Sequence, residues 1–246
     1  MRQIDVCLTP ELLHLYPVEG KVVVVVDILR ATSCMTTGIA YGVSKIIPVA
    51  TLEECAALKK QGCITAAERD GKKADGFDIG NSPFSYMEES MRGKTVAVTT
   101  TNGTLAISKC KTARAVVIGS FLNRAAIIQY LKNQPYDVLV VCAGWKGKIN
   151  LEDTLFAGAV VEGLKEDFFI EHDAALASLA LFRQAKGNMR GFLNTCSHVR
   201  RLKNLDIDKD IDYCLSMDEY DVIPILVGDA LVLNEEVLAE NGVVKK

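Results

Sequence analysis

Lys21-Val22-Val23-Val24-Val25-Val26-Asp27-Ile28-Leu29-Arg30-Ala31-Thr32-Ser33 decides the fold. An unbroken run of valines reads as a strand buried on both faces, because a strand with one wet face would alternate apolar and polar residues. The run stops at an acid and an arginine, and a helical pattern begins near Thr32. Strand, polar turn and helix in that order open a β–α–β unit of a parallel sheet.

The same order recurs at Val96-Ala97-Val98-Thr99-Thr100-Thr101-Asn102-Gly103-Thr104, which runs straight into Leu105-Ala106-Ile107. Free backbone N–H groups and the positive end of the helix dipole collect at such a turn, and both attract an oxyanion. Gly103 allows close approach of backbone to a ligand, and the threonines add hydroxyl donors. A plain helix-capping cluster uses the same residues, so the weight falls on recurrence. A third instance follows: Asp137-Val138-Leu139-Val140-Val141 leads into Cys142-Ala143-Gly144-Trp145-Lys146-Gly147, then a helix with Glu152 and Asp153 in its first turn. Ligands of open α/β sheets bind outside the carboxyl ends of the strands, so these polar ends are expected to share one site.

With 246 residues, 49% of them hydrophobic, the chain is expected to form a single compact α/β domain over 1–246, or two intertwined similar subdomains. Its 28 basic and 31 acidic residues give no basic field for nucleic acid. No apolar stretch approaches a membrane span. Met1-Arg2-Gln3-Ile4-Asp5 carries an acid where a signal peptide needs an apolar core, so a cytoplasmic protein is expected. The eight cysteines are scattered without a C-x-x-C pair, and most, such as Cys7, Cys34 and Cys142, lie in apolar patterns. They read as reduced core thiols, without structural zinc. The sequence leaves room for a homo-oligomer.

The pattern predicts strands near 3–8, 21–27, 45–49, 63–67, 94–100, 115–119, 137–142, 222–227 and 230–234. Helices are predicted near 32–42, 51–61, 83–90, 103–110, 123–133, 152–166, 172–186, 190–203 and 208–215. Thr51-Leu52-Glu53-Glu54 matches a capping box, and Ser82-Pro83 an N-cap followed by proline. Alternating strands and helices up to about residue 165 predict a three-layer α/β/α architecture with a mostly parallel or mixed sheet. A helical flank is predicted near 167–215. Gly20-Lys21 and Gly93-Lys94 each precede a strand, polar turn, helix and second β run, a faint sign of duplicated βαβ units. The irregular stretch from Glu68 to Asn81 holds Gly71, Gly76 and Gly80 with Arg69, Asp70, Lys72, Lys73 and Asp75. It reads as a lid or a surface loop.

Asp27 must be satisfied by something at the end of a buried strand, and a divalent cation is one candidate. Glu68, after an apolar run, and the pair Glu152 and Asp153 are others, although the pair also suits a helix dipole alone. Arg30 either pairs with Asp27 or grips an oxyanion bidentately. Haloacid-dehalogenase chemistry needs a second Asp two residues after the first, where this chain has Leu29. The G-x-x-x-x-G-K-[S/T] loop is absent. A cysteine phosphatase loop requires C-x₅-R, but Lys148 stands where the arginine belongs after Cys142. His14, His172 and His198 fall outside the polar turns, so histidine chemistry is not expected. Metal-assisted chemistry with an oxyanion cradle remains.

Asp27-Ile28-Leu29-Arg30-Ala31-Thr32, Gly80-Asn81-Ser82-Pro83, Thr99 to Thr104, Cys142-Ala143-Gly144 and Glu152-Asp153-x-x-x-Ala157-Gly158 occur in that order. Together they resemble the 2-phosphosulfolactate phosphatase family across most of residues 1–235. The resemblance implies a Mg²⁺-dependent phosphatase that converts 2-phosphosulfolactate to 3-sulfolactate and phosphate, a step of coenzyme M biosynthesis in methanogens. Members also occur in bacteria that do not make coenzyme M. The expected catalytic residues are Asp27, Arg30 and Glu152, and the expected Mg²⁺ ligands Asp27, Glu68 and Asp153. A small anionic substrate is expected to meet Asn81, Thr100, Thr101, Asn102, Gly103, Thr104, Ser120, Asn123 and Gly144. The alternatives are a non-catalytic small-anion binder built from the same turns, and a phosphotransferase.

Overall fold

A computed structural model describes residues 1–69, 71–202 and 207–234 of the chain. The valine run forms β2 (Val22–Val26), in which every residue is buried. Val22, Val24 and Val26 enter one core and Val23 and Val25 the other, so the strand is apolar because both of its faces are covered. Each such side chain contributes about 1.5–3 kcal/mol relative to exposure.

Parallel neighbours flank β2 on both sides. β7 (Ala115–Gly119) and β8 (Val138–Cys142) pair with it so that Val26 lies opposite Gly119 and Cys142. β1 (Gln3–Cys7) extends the parallel block beyond β8, and β9 (Phe169–Ile170) extends it past β1. A second parallel block contains β3 (Lys45–Pro48), β6 (Thr95–Thr99) and β4 (Ile64–Arg69), edged by the antiparallel β5 (Lys72–Lys73). The hairpin of β10 (Pro224–Val227) and β11 (Ala230–Leu233) joins the blocks, antiparallel to β7 through Ile225 and Val117 and to β3 through Leu231 and Ile46. The resulting order is β5-β4-β6-β3-β11-β10-β7-β2-β8-β1-β9, a mixed, mostly parallel sheet.

Helices cover both faces. α1 (Ala31–Ala40) and α3 (Gly103–Lys109) pack with Val23 and Val25, whereas α4 (Arg124–Asn133), α5 (Leu151–Leu164) and α6 (Asp173–Ala185) pack with Val22, Val24 and Val26. α2 (Leu52–Lys59) lies on β4 and β6, and its predicted capping box is present. β2 pairs with β7, and β3 pairs with β6. The helical flank contains α6, α7 (Met189–Leu193), α8 (Ser197–Leu202) and α9 (Asp208–Cys214). The single helix predicted over 190–203 is broken between α7 and α8, and residue 203 lies outside the described residues. The helix predicted over 83–90 is two short 3₁₀ turns, Pro83–Tyr86 and Glu89–Met91.

The stretch from Glu68 to Asn81 is tied down more than its composition predicts. Thr65 donates its N–H and hydroxyl to Asp78 at 2.9 and 2.8 Å, and Ala67 donates its N–H to Ile79 at 3.2 Å. Asp70 lies outside the described residues. Among the described residues, no helix is long and apolar enough to cross a membrane. All eight cysteines are unbridged, and every one except Cys63 is buried.

α5 is apolar on nearly every side because the sheet takes one face and α6 the other. A Cβ at Gly158 would fall 2.0 Å from the Ser178 carbonyl oxygen of α6, so the helices approach to backbone contact there. Gly158→Ala is expected to destabilise the fold by about 3 kcal/mol or more, above the usual cost of overpacking, because backbone must move. Thermal unfolding checks this; an unchanged Tm means that the helix pair adjusts freely.

Candidate functional site

The carboxyl ends of β2, β4, β6 and β8 open into one cleft. Its walls include Asp27, Arg30, Glu68, Asn81, Thr101 and Asn102, together with Trp145, His198 and Arg201. The first six are sequence-predicted site residues, and the fold brings them together from four separate segments.

Asp27 is positioned by a turn that closes on itself. Thr32 accepts the Asp27 N–H at 3.0 Å through its hydroxyl and returns its own N–H to the Asp27 carbonyl, while Ser33 donates to the Ile28 carbonyl at 2.9 Å. The peptide between Leu29 and Arg30 is cis. Arg30 does not pair with Asp27. Its Nη1 meets Asp210 and its Nη2 donates to the Gly71 carbonyl at 3.0 Å. Asp210 also accepts the Ser82 hydroxyl at 3.0 Å, so the predicted Ser82 N-cap spends its side chain on the arginine's partner.

The Thr100–Thr104 turn abuts Asp27. Thr104 donates its hydroxyl to the Thr100 carbonyl at 3.1 Å and its N–H to the Thr100 hydroxyl at 3.3 Å. The hydroxyls of Thr100 and Thr104 therefore shape the turn, and Thr101 and Asn102 are the residues that face the cleft. A Cβ at Gly103 would meet Ala31 Cβ at 2.8 Å and Asp27 Oδ2 at 2.9 Å. Gly103 admits the Asp27 carboxylate, where the sequence suggested room for a ligand.

Asp153 differs from expectation in a similar way. Its Oδ1 accepts the Ile28 N–H at 2.9 Å and its Oδ2 the Gly144 N–H at 3.1 Å. Both oxygens help bind α5 to the ends of β2 and β8, and Asp153 does not line the cleft. Gly144 is fixed by the same clamp. Its N–H is committed, and its φ of +58° with Lys148 O only 2.4 Å from an added Cβ marks a residue required by the turn. Ser120 and Asn123 are also misplaced by the sequence reading. Both are fully buried: Ser120 bonds Thr36 at 3.1 Å, and Asn123 donates to the Ile118 and Val222 carbonyls at 3.1 and 2.9 Å. They lock α4 and the β10 approach, away from the cleft.

Glu152 is fully buried and reaches the cleft through His198, whose Nδ1 it binds. Sequence reasoning missed His198 and Arg201. Their only sequence signal is a three-residue spacing, which puts both on one face of a helix. α8 carries them, with Val199 and Leu202 buried in the core beneath. Trp145 closes the same wall, with Arg201 Cζ 3.8 Å from the ring centroid.

Burial pushes the Asp27 carboxyl up to about 7; nearby His198 opposes the rise, and Glu68 and Glu152 add to it. Asp153 is raised by burial and by Glu152 and Asp27, against the pull of its two N–H donors. Burial also raises the Cys142 thiol well above its ordinary value, so it is a poor source of thiolate nucleophile. Among the described residues, no three His, Cys, Asp or Glu side chains converge as a metal cage. Asp27 and Glu68 remain as two carboxylates on one cleft, and Glu68 disfavours the charge of Asp27. That donor set fits Mg²⁺, which commonly takes one or two carboxylates and completes its shell with water and substrate oxygens.

The family model described as 2-phosphosulpholactate phosphatase matches residues 7–229. Proteins of Thermotoga petrophila and Thermotoga maritima, each named "Probable 2-phosphosulfolactate phosphatase", are 40% identical over 219 residues, covering 89% of this chain and 95% of theirs. A protein of the same name from Caldanaerobacter subterraneus is 40% identical over 209 residues, 83% of this chain and 87% of its own.

A raised carboxyl pKa has a definite sign in stability. Folded Asp27 holds its proton more tightly than the unfolded chain does, so its cost to folding grows as pH rises from about 4 to about 7 and is complete above that. In metal-free protein, Asp27→Asn is expected to raise Tm relative to wild type more at pH 8 than at pH 5, by roughly 2–4 °C for each kcal/mol recovered. Calorimetry at the two pH values checks this. An equal difference at both would mean that Asp27 is not held against its charge.

Proposed function

Because the chain belongs to the 2-phosphosulfolactate phosphatase family, whose activity is that of a phosphoric monoester hydrolase, we propose that it hydrolyses 2-phosphosulfolactate to 3-sulfolactate and phosphate in this cleft, with Mg²⁺ as cofactor. One observation carries the reading: the paired carboxylates Asp27 and Glu68 share the cleft with the arginines Arg30 and Arg201. Carboxylates alone repel a phosphoester, and arginines alone bind one without activating it. Both together suit a metal-assisted displacement. Membership in a hydrolase family favours this over the anion-binding and phosphotransferase alternatives.

Asp27 and Glu68 would hold the metal. Bound there, Mg²⁺ would offset phosphoryl charge and orient the attacking water. The chain's own groups do the rest. Among the described residues, no acceptor takes the backbone N–H groups of Thr101, Asn102 and Gly103, which are available for phosphoryl oxygens. Arg30, fixed by Asp210 and the Gly71 carbonyl, presents a positive wall that cannot swing away. Glu152 fixes the Nδ1 side of His198 and leaves Nε2 for the cleft. As water adds to phosphorus and the bond to the C2 oxygen of sulfolactate breaks, Nε2–H is placed to protonate the departing alkoxide.

Two experiments test this reading. Chelation is expected to abolish phosphate release from 2-phosphosulfolactate and Mg²⁺ to restore it, whereas Asp27→Asn is expected to lose activity by orders of magnitude that added Mg²⁺ does not recover. Chelator-resistant turnover would remove the metal. His198→Gln is expected to lower kcat about 10²- to 10⁴-fold on 2-phosphosulfolactate but far less on p-nitrophenyl phosphate, whose leaving group needs no proton. Equal losses on the two esters would assign His198 to binding and not to proton transfer.

A further inference from the structure

Resting on the phosphoester reading above, we infer that Arg201, mounted on the indole of Trp145, grips the sulfonate of the substrate and so sets the preference for phosphoesters that carry a second strong anion. Trp145 is held firmly. The turn Trp145-Lys146-Gly147-Lys148 is closed by Trp145 N–H to Lys148 O at 2.8 Å and Lys148 N–H to Trp145 O at 3.0 Å. Its central residues have φ of 48° and 78°, the left-handed pair of a tight hairpin turn. The Lys146 N–H donates to Asn102 Oδ1 at 3.2 Å, which fastens this turn to the Thr100–Thr104 turn. Arg201 Cζ lies 3.8 Å and Lys146 Nζ 4.7 Å from the ring centroid, so one aromatic ring carries two cations.

The guanidinium of Arg201 is incomplete in a way that Arg30 is not. Arg30 spends Nη1 on Asp210 and Nη2 on Gly71 O. Arg201 Nη2 is buried and, among the described residues, has no hydrogen-bond acceptor. A charged donor kept from water without an acceptor is costly, and an incoming oxyanion removes that cost. Burial lowers the Arg201 pKa while nearby Glu152 opposes the fall, so the group is partly desolvated within a negative field that its neighbours already use. The charges that bear most on Asp27 are those of His198, Glu68 and Glu152. Arg201 lines the same cleft as Asp27 and Glu68 and approaches it from the Trp145 wall. Its flat fork on a fixed ring matches two oxygens of a tetrahedral sulfonate, which a lysine ammonium cannot copy.

Trp145 is the chain's only tryptophan, so intrinsic fluorescence reports directly on this wall. Titration of 3-sulfolactate into wild-type protein, with Mg²⁺ and with EDTA, is expected to give a saturable change. Arg201→Met is expected to weaken that binding roughly ten- to hundredfold, the range of one lost charge-assisted contact, and Arg201→Lys to lie between. Lactate, which lacks the sulfonate, is expected to bind equally weakly to all three proteins. In turnover, Arg201→Lys is expected to lose kcat/KM on 2-phosphosulfolactate with little change on 2-phospholactate. Undiminished 3-sulfolactate affinity in folded Arg201→Met, equal losses on both esters, or no 3-sulfolactate binding to wild type by fluorescence or calorimetry overturns the inference. Arginine-dependent 3-sulfolactate binding without any phosphate release would leave the inference standing and overturn the phosphatase reading instead.

Discussion

The carboxylate of Asp153 ties the first turn of α5 to the chain leaving β2 and β8 at the sheet's carboxyl edge. It accepts the N–H of Ile28 just beyond β2 and that of Gly144 just beyond β8, while its own backbone begins α5. The paired register ends at Val26 and Cys142, and one further backbone bond, Ala143 N–H to Val26 O at 2.8 Å, carries the ladder to the edge of the cleft. A buried carboxylate with two N–H donors adds a further constraint and satisfies both amides. Asp27 precedes Ile28 by one residue and Trp145 follows Gly144 by one, so the same group sets the spacing between the carboxylate and aromatic walls of the cleft.

That constraint forces acidic groups together. Glu152 is next to Asp153 on the first turn of a helix that is buried on all sides, and Asp27 faces both. Among the described residues the fold offsets this in parts: two N–H donors for Asp153, His198 for Glu152, and for Asp27 the field of His198 and the Ala31 N–H. Of the three, Asp27 is the one that opens to the cleft. Burial holds both Asp27 and Asp153 against their charge, and of the two only Asp27 lies where the proposed Mg²⁺ would offset it.

The sheet and most of the cleft were legible in the sequence because the signals were local. A five-valine strand ending in Asp27, and threonines and glycine after Val98, announce a strand, a turn and a helix within a dozen residues. The same signal misled at Ser120 and Asn123, where a polar pair after a buried strand forms a capping box and no binding surface. At Asp153, acidity in a first turn was readable, but the use of both oxygens as a clamp depends on β2 and β8 being neighbours. His198 and Arg201 were illegible for a different reason. They sit on the short helix α8 in the flank, and only tertiary packing through Val199 and Leu202 brings that helix over the strand ends.

The two cleft arginines show how one residue type is divided between scaffold and site. Arg30 lies in a turn made by β2 and α1, where any freedom would disturb Asp27, and it is bound by Asp210 and by the loop carbonyl of Gly71. Asp210 comes from α9 and Gly71 from beyond β4, so this pairing also draws the flank and the loop against the strand ends. Arg201 needs no such anchor, because the face of Trp145 orients its plane without consuming its N–H groups. The contact with the Trp145 ring thus holds a half-buried guanidinium whose Nη2, among the described residues, has no acceptor. A salt bridge fixes an arginine only by using the donors that an anionic ligand would need.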